Sequence, residues 1–329
     1  MIFEPTARST AAFSTFQGVQ VDGKTLAKSN YTAEEGSTVV YLKAAYLKTL
    51  AAGKHTITIL STAGNTSMDF TIGGKTYANY LDGREIGFHD FFERIRQGEA
   101  ASTSAVNPES FREVMEQTLQ QGLDILFVGF SSGLSTTYQS GCIAADDLRE
   151  KYPERKILTV DSLCASLGQG LYVYLGALQQ QAGKSIEEVR DYLEDIKLHL
   201  CHWFTVDDLM YLKRGGRISA TTAVLGTVMQ IKPVMHMDND GHLANVTKAR
   251  GRKGSLIALA EKALTTSTDL PSQTMFICHG DCYDDAKFVA DYIRERSKVQ
   301  DIIINYVGPV IGSHTGPGVV SVFFLGTER

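Results

Sequence analysis

The chain has 329 residues, with 32 Lys and Arg against 37 Asp and Glu and a net charge of −5. Hydrophobic residues make up 43% and charged residues 21%, ordinary proportions for a folded protein with more than one domain. No basic face for nucleic acid is implied, and no apolar run reaches the roughly 18 residues that span a bilayer.

The N-terminal stretch MIFEPTARSTAAFSTF lacks the basic and apolar segments of an export signal, so a cytoplasmic protein is expected. Five scattered cysteines, Cys142, Cys164, Cys201, Cys278 and Cys282, fit a reducing compartment better than a disulfide framework. The pair in CHGDC has no second ligand pair at zinc spacing, and no metal site is expected.

Residues 1–73 read as short alternating runs broken by turns: GVQVDGKTL, GSTVVYL, KHTITIL, SMDFTIGGKTY. That is the pattern of a small all-β module. GVQVDGKT matches the P-loop expression letter for letter. It lacks a buried strand before it and a helix after it, so Asp22-Gly23 is read as a hairpin turn.

Helix and strand patterns alternate from about residue 107 onward. NPESFREVMEQTLQQG, YQSGCIAADDLREKY, SLGQGLYVYLGALQQQAG and SIEEVRDYLEDIKLHL read as helices, and LDILFVGF and ILTVDS as strands between them. After the turn-rich LKRGGRIS come a helix, the strand KPVMHM and the turn DNDG. KGSLIALAEKAL and DDAKFVADYIRERS follow as helices, with TMFICHG, DIIINYVG and VVSVFFLG as strands. The alternation predicts an α/β fold with parallel or mixed sheets covered by helices. A second α/β lobe is expected to begin near residue 205, giving segments 1–73, 74–204 and 205–329.

Three stretches carry candidate chemistry. GFSSG at 129–133 fits G-x-S-x-G between a strand and a helix. It allows a hydrolase nucleophile at Ser131, with His279 or His314 completing a triad. It equally allows an anion site at a helix N-terminus, or plain capping by Ser132 or Ser135. STSAVNP at 102–108 offers Thr103, Ser104 and Asn107 before a helix, as a cap or as ligand donors. GPVIGSHTGPGVV surrounds His314 and Thr315 with glycine and proline, and reads as a shaped loop presenting polar groups.

TSAVNP, SSGLSTTYQS, VDSLCASLGQG, DLMYLKRGGRIS, QIKPVMHMDNDGHL and GPVIGSHTGPG occur in the order and spacing of the DegV family of bacterial fatty-acid-binding proteins. Residues 74–329 resemble that family, GGKTYANYLDG included. The resemblance implies a long-chain fatty acid buried between two α/β lobes as the only bound group, with no other cofactor. In several members the protein is the non-catalytic subunit that offers the carboxylate to an ATP-dependent fatty acid kinase. By motif position, Thr103 and Ser135 would hydrogen-bond the carboxylate, with Ser104 beside them and backbone amides near Thr136. Arg217, His279 and His314 would lie near the head group or the partner's reaction site, and the His314–Thr315 loop close to the ligand's head. Two departures stand out. The family's first strand and helix, with an Asp-Ser pair, is replaced here by a segment resembling a bacterial Ig-like module. Thr136 stands where the family has Gly. A serine hydrolase using Ser131 is the alternative function, and a degenerate fusion with an unstable, empty lobe is a third.

Overall fold

The computed structural model describes residues 6–34, 37–47, 49–50, 53–72, 82–99, 101–219, 231–327 and 329. It divides into two compact units, Met1–Ala78 and Asn79–Arg329.

The first unit contains β1 (Thr6–Ala12), β2 (Phe16–Val21), β3 (Lys24–Thr25), β4 (Tyr31–Glu34), β5 (Ser37–Leu42), α1 (Ala44–Leu47), β6 (Gly53–Ser61) and β7 (Thr66–Ile72). One antiparallel sheet runs β1-β5-β4 and the other β3-β2-β6-β7. Val19, Val21, Tyr31, Val40, Leu42, Leu47, Ile57 and Ile59 form its core. Ile57 and Ile59 are buried at alternate positions of β6, as a strand with one covered face requires. Asp22 and Gly23, both at positive φ, join β2 to β3, so the P-loop-like stretch is a hairpin. The Asp22 carboxylate accepts from the Thr56 N–H at 2.8 Å and pairs with His55 Nδ1 at 2.5 Å. This is a small β module.

The second unit opens with α2 (Phe88–Arg96) and α3 (Pro108–Gln120). Then come β8 (Ile125–Gly129), α4 (Thr137–Lys151), β9 (Ile157–Asp161), α5 (Leu167–Gln181) and α6 (Ile186–Ile196). The remainder is β10 (Leu200–Thr205), α7 (Met210–Arg214), β11 (Ile231–Met237), β12 (Leu243–Arg250), α8 (Gly251–Thr266), β13 (Thr274–His279), α9 (Tyr283–Arg296), β14 (Asp301–Tyr306), α10 (Pro309–Thr315) and β15 (Val320–Leu325). Asn107 caps α3 by accepting the Ser110 N–H at 2.9 Å, and Pro108 fills a first-turn position where no N–H is needed.

β8 and β9 form a parallel pair covered by α3 and α4, whose Met115, Leu119, Ala144, Ala145 and Leu148 pack on Ile157. The larger sheet is mixed, in the order β12-β11-β10-β15-β13-β14, with β13 and β14 parallel and the other pairings antiparallel. Its two faces bury alternate residues of each strand. Phe323 joins the cluster of Phe91, Phe92, Leu171, Tyr172 and Leu193 beneath α2, α5 and α6. Val322 and Phe324 join Leu256, Leu259, Val289 and Ile293 beneath α8 and α9. The α/β class, the mixed sheet and its helical cover agree with the expectation from sequence.

Two local expectations are corrected, and two elements lie where none was expected. In LHL, Leu198 and His199 form a 3₁₀ turn and Leu200 begins β10, so the stretch does not end an α-helix; a fully buried strand shows no alternation to mark it. β12 fills the stretch after DNDG, and α2 the stretch FHDFFERIR. GPVIGSHT is a short helix, α10, and not a loop. The helix expected after LKRGGRIS lies at 220–230, and most of GGKTYANYLDG at 73–81, both outside the described residues.

Candidate ligand-binding site

α10 explains the composition of GPVIGSHTGPG. Pro309 stands in its first turn, and Gly316 ends it at φ 72°, ψ 176°, a conformation that favours glycine. A Cβ on Gly316 would collide with the ring of Tyr211 on α7. Within the helix, Ser313 Oγ donates to the Pro309 carbonyl at 2.7 Å and Thr315 Oγ1 to the Ile311 carbonyl at 3.2 Å. Thr315 is buried, and its hydroxyl is engaged within the helix.

His314 is placed differently. Its Nε2 lies 2.7 Å from Thr103 Oγ1, so residues 211 positions apart meet. Its Nδ1 is buried and makes no hydrogen bond among the described residues. The ring packs so closely on Gly215, just after α7, that any side chain at 215 would strike it. Arg217 bends back to donate to the Gly215 carbonyl. Burial pushes the His314 pKa down to about 4, and the positive charge of Arg217 works in the same direction. The imidazole is therefore neutral at physiological pH, beside a half-buried arginine and a hydroxyl.

The other candidates separate into groups. Ser135 Oγ lies 2.8 Å from Thr137 Oγ1 and accepts the Thr137 N–H at 3.2 Å, which caps the start of α4. Thr136 is exposed at the N-cap position, and its side chain makes no capping bond. Ser104 is exposed. None of the described hydrogen bonds joins the Ser135 group to the Thr103–His314 pair. His279 is buried; its Nδ1 accepts the Cys282 N–H at 3.2 Å, and its ring packs on Tyr306 and Tyr283. Burial lowers its pKa. It packs at the end of β13 and shares no described contact with His314.

Ser131 is fully buried and donates from Oγ to the Gly241 carbonyl at 2.7 Å. Gly241 is at φ +76°, and a Cβ there would overlap Ser131 Oγ. Among the described residues no histidine bonds to Ser131. The hydroxyl ties the GFSSG turn to the DNDG turn, so the nucleophile reading is overturned. The amides of that turn are largely occupied: Ser131 N–H on the Cys164 carbonyl, Ser132 N–H on the Asp161 carboxylate, Gly133 N–H on Ser131 Oγ and Ser135 N–H on the Ser131 carbonyl. The Thr136 N–H has no described partner.

Sequence reading missed Gly215, Tyr211 and Asp207, which key the α7 segment to the α10 segment. A Cβ on Gly318 would overlap the Asp207 carboxylate, and Lys232 Nζ pairs with that carboxylate at 2.9 Å. The glycines of LKRGGRIS and GPG were the available signal. Among the described residues, His89, Glu93 and Asp281 come within metal-ligand reach of one another. Arg96 already bonds both carboxylates there.

Four similarities to known proteins bear on this arrangement. Residues 45–327 match the family model described as "Uncharacterised protein, DegV family". A DegV domain-containing protein of Clostridium perfringens is 48% identical over 258 residues, 78% of this chain and 88% of that protein. Among solved structures, a fatty-acid-binding DegV family protein of Thermus thermophilus superposes with a TM-score of 0.65 at 29% identity, covering 76% of this chain and 87% of that one. The Streptococcus pneumoniae fatty acid kinase B3 protein loaded with linoleic acid shares the fold at 20% identity, with a TM-score of 0.66 over 73% of this chain and 84% of that one. The motif order, the mixed sheet and these matches agree: the chain belongs to the DegV family.

Proposed function

We propose that the protein binds a long-chain fatty acid and offers its carboxylate to an ATP-dependent kinase subunit in the cytoplasm. The observation that carries this reading is the Thr103–His314 pair beside Arg217. It combines a hydroxyl, a neutral imidazole and a cation. In the tautomer with the proton on Nε2, His314 donates to Thr103, and the Thr103 O–H is free to donate to a carboxylate oxygen. The Thr136 amide, which has no described partner, and Ser135 stand at the start of α4 as further candidate donors. The fatty acid named in the Thermus thermophilus protein supports this ligand class. An apolar chain needs an apolar bed, worth about 0.8 kcal/mol per buried CH₂.

The chain itself is read as non-catalytic. One carboxylate oxygen attacks the γ-phosphorus of an ATP held by the partner; a P–O bond to the acyl group forms as the bond to ADP breaks. Arg217 steadies the charge that develops there. The likeness of fold to the kinase B3 protein supports the partner class. The first unit is read as an Ig-like module, on its two sheets around one core; its removal is expected to leave fatty acid binding unchanged.

The test is denaturing extraction of the purified protein with mass spectrometry of what is released. Stoichiometric fatty acid is expected. A protein that is empty and also fails to take up palmitate or oleate would overturn the reading. A loaded protein that no ATP-dependent kinase subunit converts to acyl phosphate would remove the partner and leave the carrier.

A further inference from the structure

One charged cluster in the second unit takes no part in the proposed head-group site. Asp281 follows β13 in a left-handed conformation, φ +56°, which Asp tolerates better than most residues. Its side chain is only 9% exposed. The carboxylate accepts from Arg96 at 2.5 Å, from His89 Nδ1 at 3.0 Å and from the Tyr306 hydroxyl at 3.4 Å. Arg96 donates again to the Asp281 carbonyl at 3.0 Å. Both cations stand on one face of α2, two turns apart. The Phe88 ring, also on α2, stacks on Tyr306 with centroids 5.4 Å apart.

The other face of α2 is apolar. Phe91, Phe92 and Ile95 are buried in the cluster shared with α5, α6 and the large sheet. Phe91 and Phe92 press on Gly312 of α10, where a Cβ would come within 2.8 Å of both rings. Gly312 is two residues from His314. A helix of nine residues has little stability alone, so the position of α2 depends on these two faces. α2 therefore links the loop after β13 to the helix that carries His314.

We propose that Asp281, gripping Arg96 and His89, clasps α2 over the apolar cluster and is a positioning residue that sets how long a bound acyl chain is retained. This deepens the fatty-acid reading above and rests on it. Isolated surface ion pairs contribute little, but this carboxylate is shielded and takes several donors at once. His89 faces Asp281 from the loop, whose carboxylate also takes the Tyr306 hydroxyl of β14, with Asp90, Glu93 and Arg96 on its own helix. The Asp281 hydrogen bond and charge raise the His89 pKa. The second cation is thus present on the acid side and lost as pH rises through that raised value.

The experiment preloads the full chain with a fluorescent polyunsaturated fatty acid and follows its release by stopped flow in wild type, Asp281→Asn, Arg96→Gln and Arg96→Lys. Asp281→Asn and Arg96→Gln are expected to release about tenfold faster, and Arg96→Lys to recover most of the difference. Wild-type release should quicken as pH rises through the histidine range, and His89→Gln should abolish that dependence. Release from Asp281→Asn and Arg96→Gln at the wild-type rate overturns the clasp, and a flat wild-type pH profile removes His89 from it. Hydrogen exchange of the unliganded chain reads the clasp without a ligand: Asp281→Asn, or Arg96→Gln should the first variant not fold, is expected to speed exchange in 88–96 and 309–315. Unchanged exchange there overturns the clasp. Wild type that never binds the probe refutes the fatty-acid reading and leaves the exchange result to decide the clasp.

Discussion

Two segments of the second unit set a polar side chain among glycines, and they use it in opposite ways. Around Ser131 the hydrogen-bonding capacity is taken up within the chain: Oγ donates to the Gly241 carbonyl and accepts from the Gly133 N–H. Around His314 it is not. Nδ1 has no described partner, and Nε2 meets a hydroxyl with capacity left for a ligand. The glycines look alike because both segments need close backbone approach, Gly241 to Ser131 and Gly215 to His314. The difference teaches that a glycine-flanked hydroxyl or imidazole marks a binding site only where its hydrogen bonds are not already made.

The strongest way to break this comparison is Gly241→Ala. The residue sits at φ +76°, and the new methyl would overlap Ser131 Oγ and crowd Leu163. A loss of about 2–4 kcal/mol in stability is expected from the combined backbone strain and overpacking, read by denaturant unfolding. Fatty acid affinity of the folded fraction should be unaffected. Affinity falling in step with stability would mean that the two turns form one site.

His314→Ala is expected to act the other way. Ligand affinity should fall about 10-fold, because Thr103 loses the imidazole that orients its hydroxyl toward the carboxylate. Stability should fall by about 1–2 kcal/mol, since the Thr103 hydrogen bond and the packing of the ring on Gly215 are lost. Calorimetric titration with oleate and thermal melts separate the two quantities. A large loss of stability with affinity intact would make His314 a structural residue like Ser131.

The legible parts of the fold were those with an amphipathic period. PESFREVMEQTLQ and IEEVRDYLEDI announce their helices by spacing, and each has its cap, Asn107 and Ser185. β10 was hidden because all of LCHWFT is buried, which leaves no alternation to read and a residue pattern that continues the preceding helix. α2 was legible in retrospect, since Phe91, Phe92 and Ile95 fall at helical spacing; its short length between turn-rich segments concealed it. In the site, the motifs led to Thr103, Arg217 and His314. They did not distinguish these from Thr315, His279 and Ser131, because what separates the two sets is whether their hydrogen bonds are already made in the fold: Thr315 bonds Ile311 four residues back, His279 accepts from Cys282 three residues on, and Ser131 bonds Gly241, 110 residues away. Hydrogen-bond occupancy is a property of the fold, and local sequence does not encode it.

A smaller effect sharpens the Ser131 side. Ser131→Ala removes a buried donor and leaves the Gly241 carbonyl without it, costing about 1–2 kcal/mol. A fluorophosphonate probe should label neither wild type nor variant. Labelling of wild type that disappears in Ser131→Ala would restore the nucleophile.

The smallest effect expected is at neutral pH, where the neutral state of His314 predicts nothing at all. Its pKa falls from the ordinary 6.5 to about 4 in the fold. Above pH 6.5 the ring is neutral in both folded and unfolded chains, and its contribution to stability is complete. Between 6.5 and about 4 the unfolded chain binds the proton first, so stability declines as pH falls, and the decline ends once the folded ring is protonated. His202, buried beside Phe204 and Phe323 and pushed down to about 3, acts in the same sense over a wider window. Denaturant midpoints should therefore be level from pH 7 to 8 and fall steadily below 6.5. His314→Gln should remove part of that slope, between 6.5 and 4, and leave the part due to His202 and to His236 and His279, whose pKa values burial also lowers. An NMR titration of the ring C–H signals reads the same event directly, with a His314 midpoint near 4. A midpoint near 6.5 would mean that the ring is open to water and charged in the range where a carboxylate would meet it; the head group would then be held by an ion pair, and the contrast with the closed Ser131 turn would be greater than hydrogen bonding alone makes it.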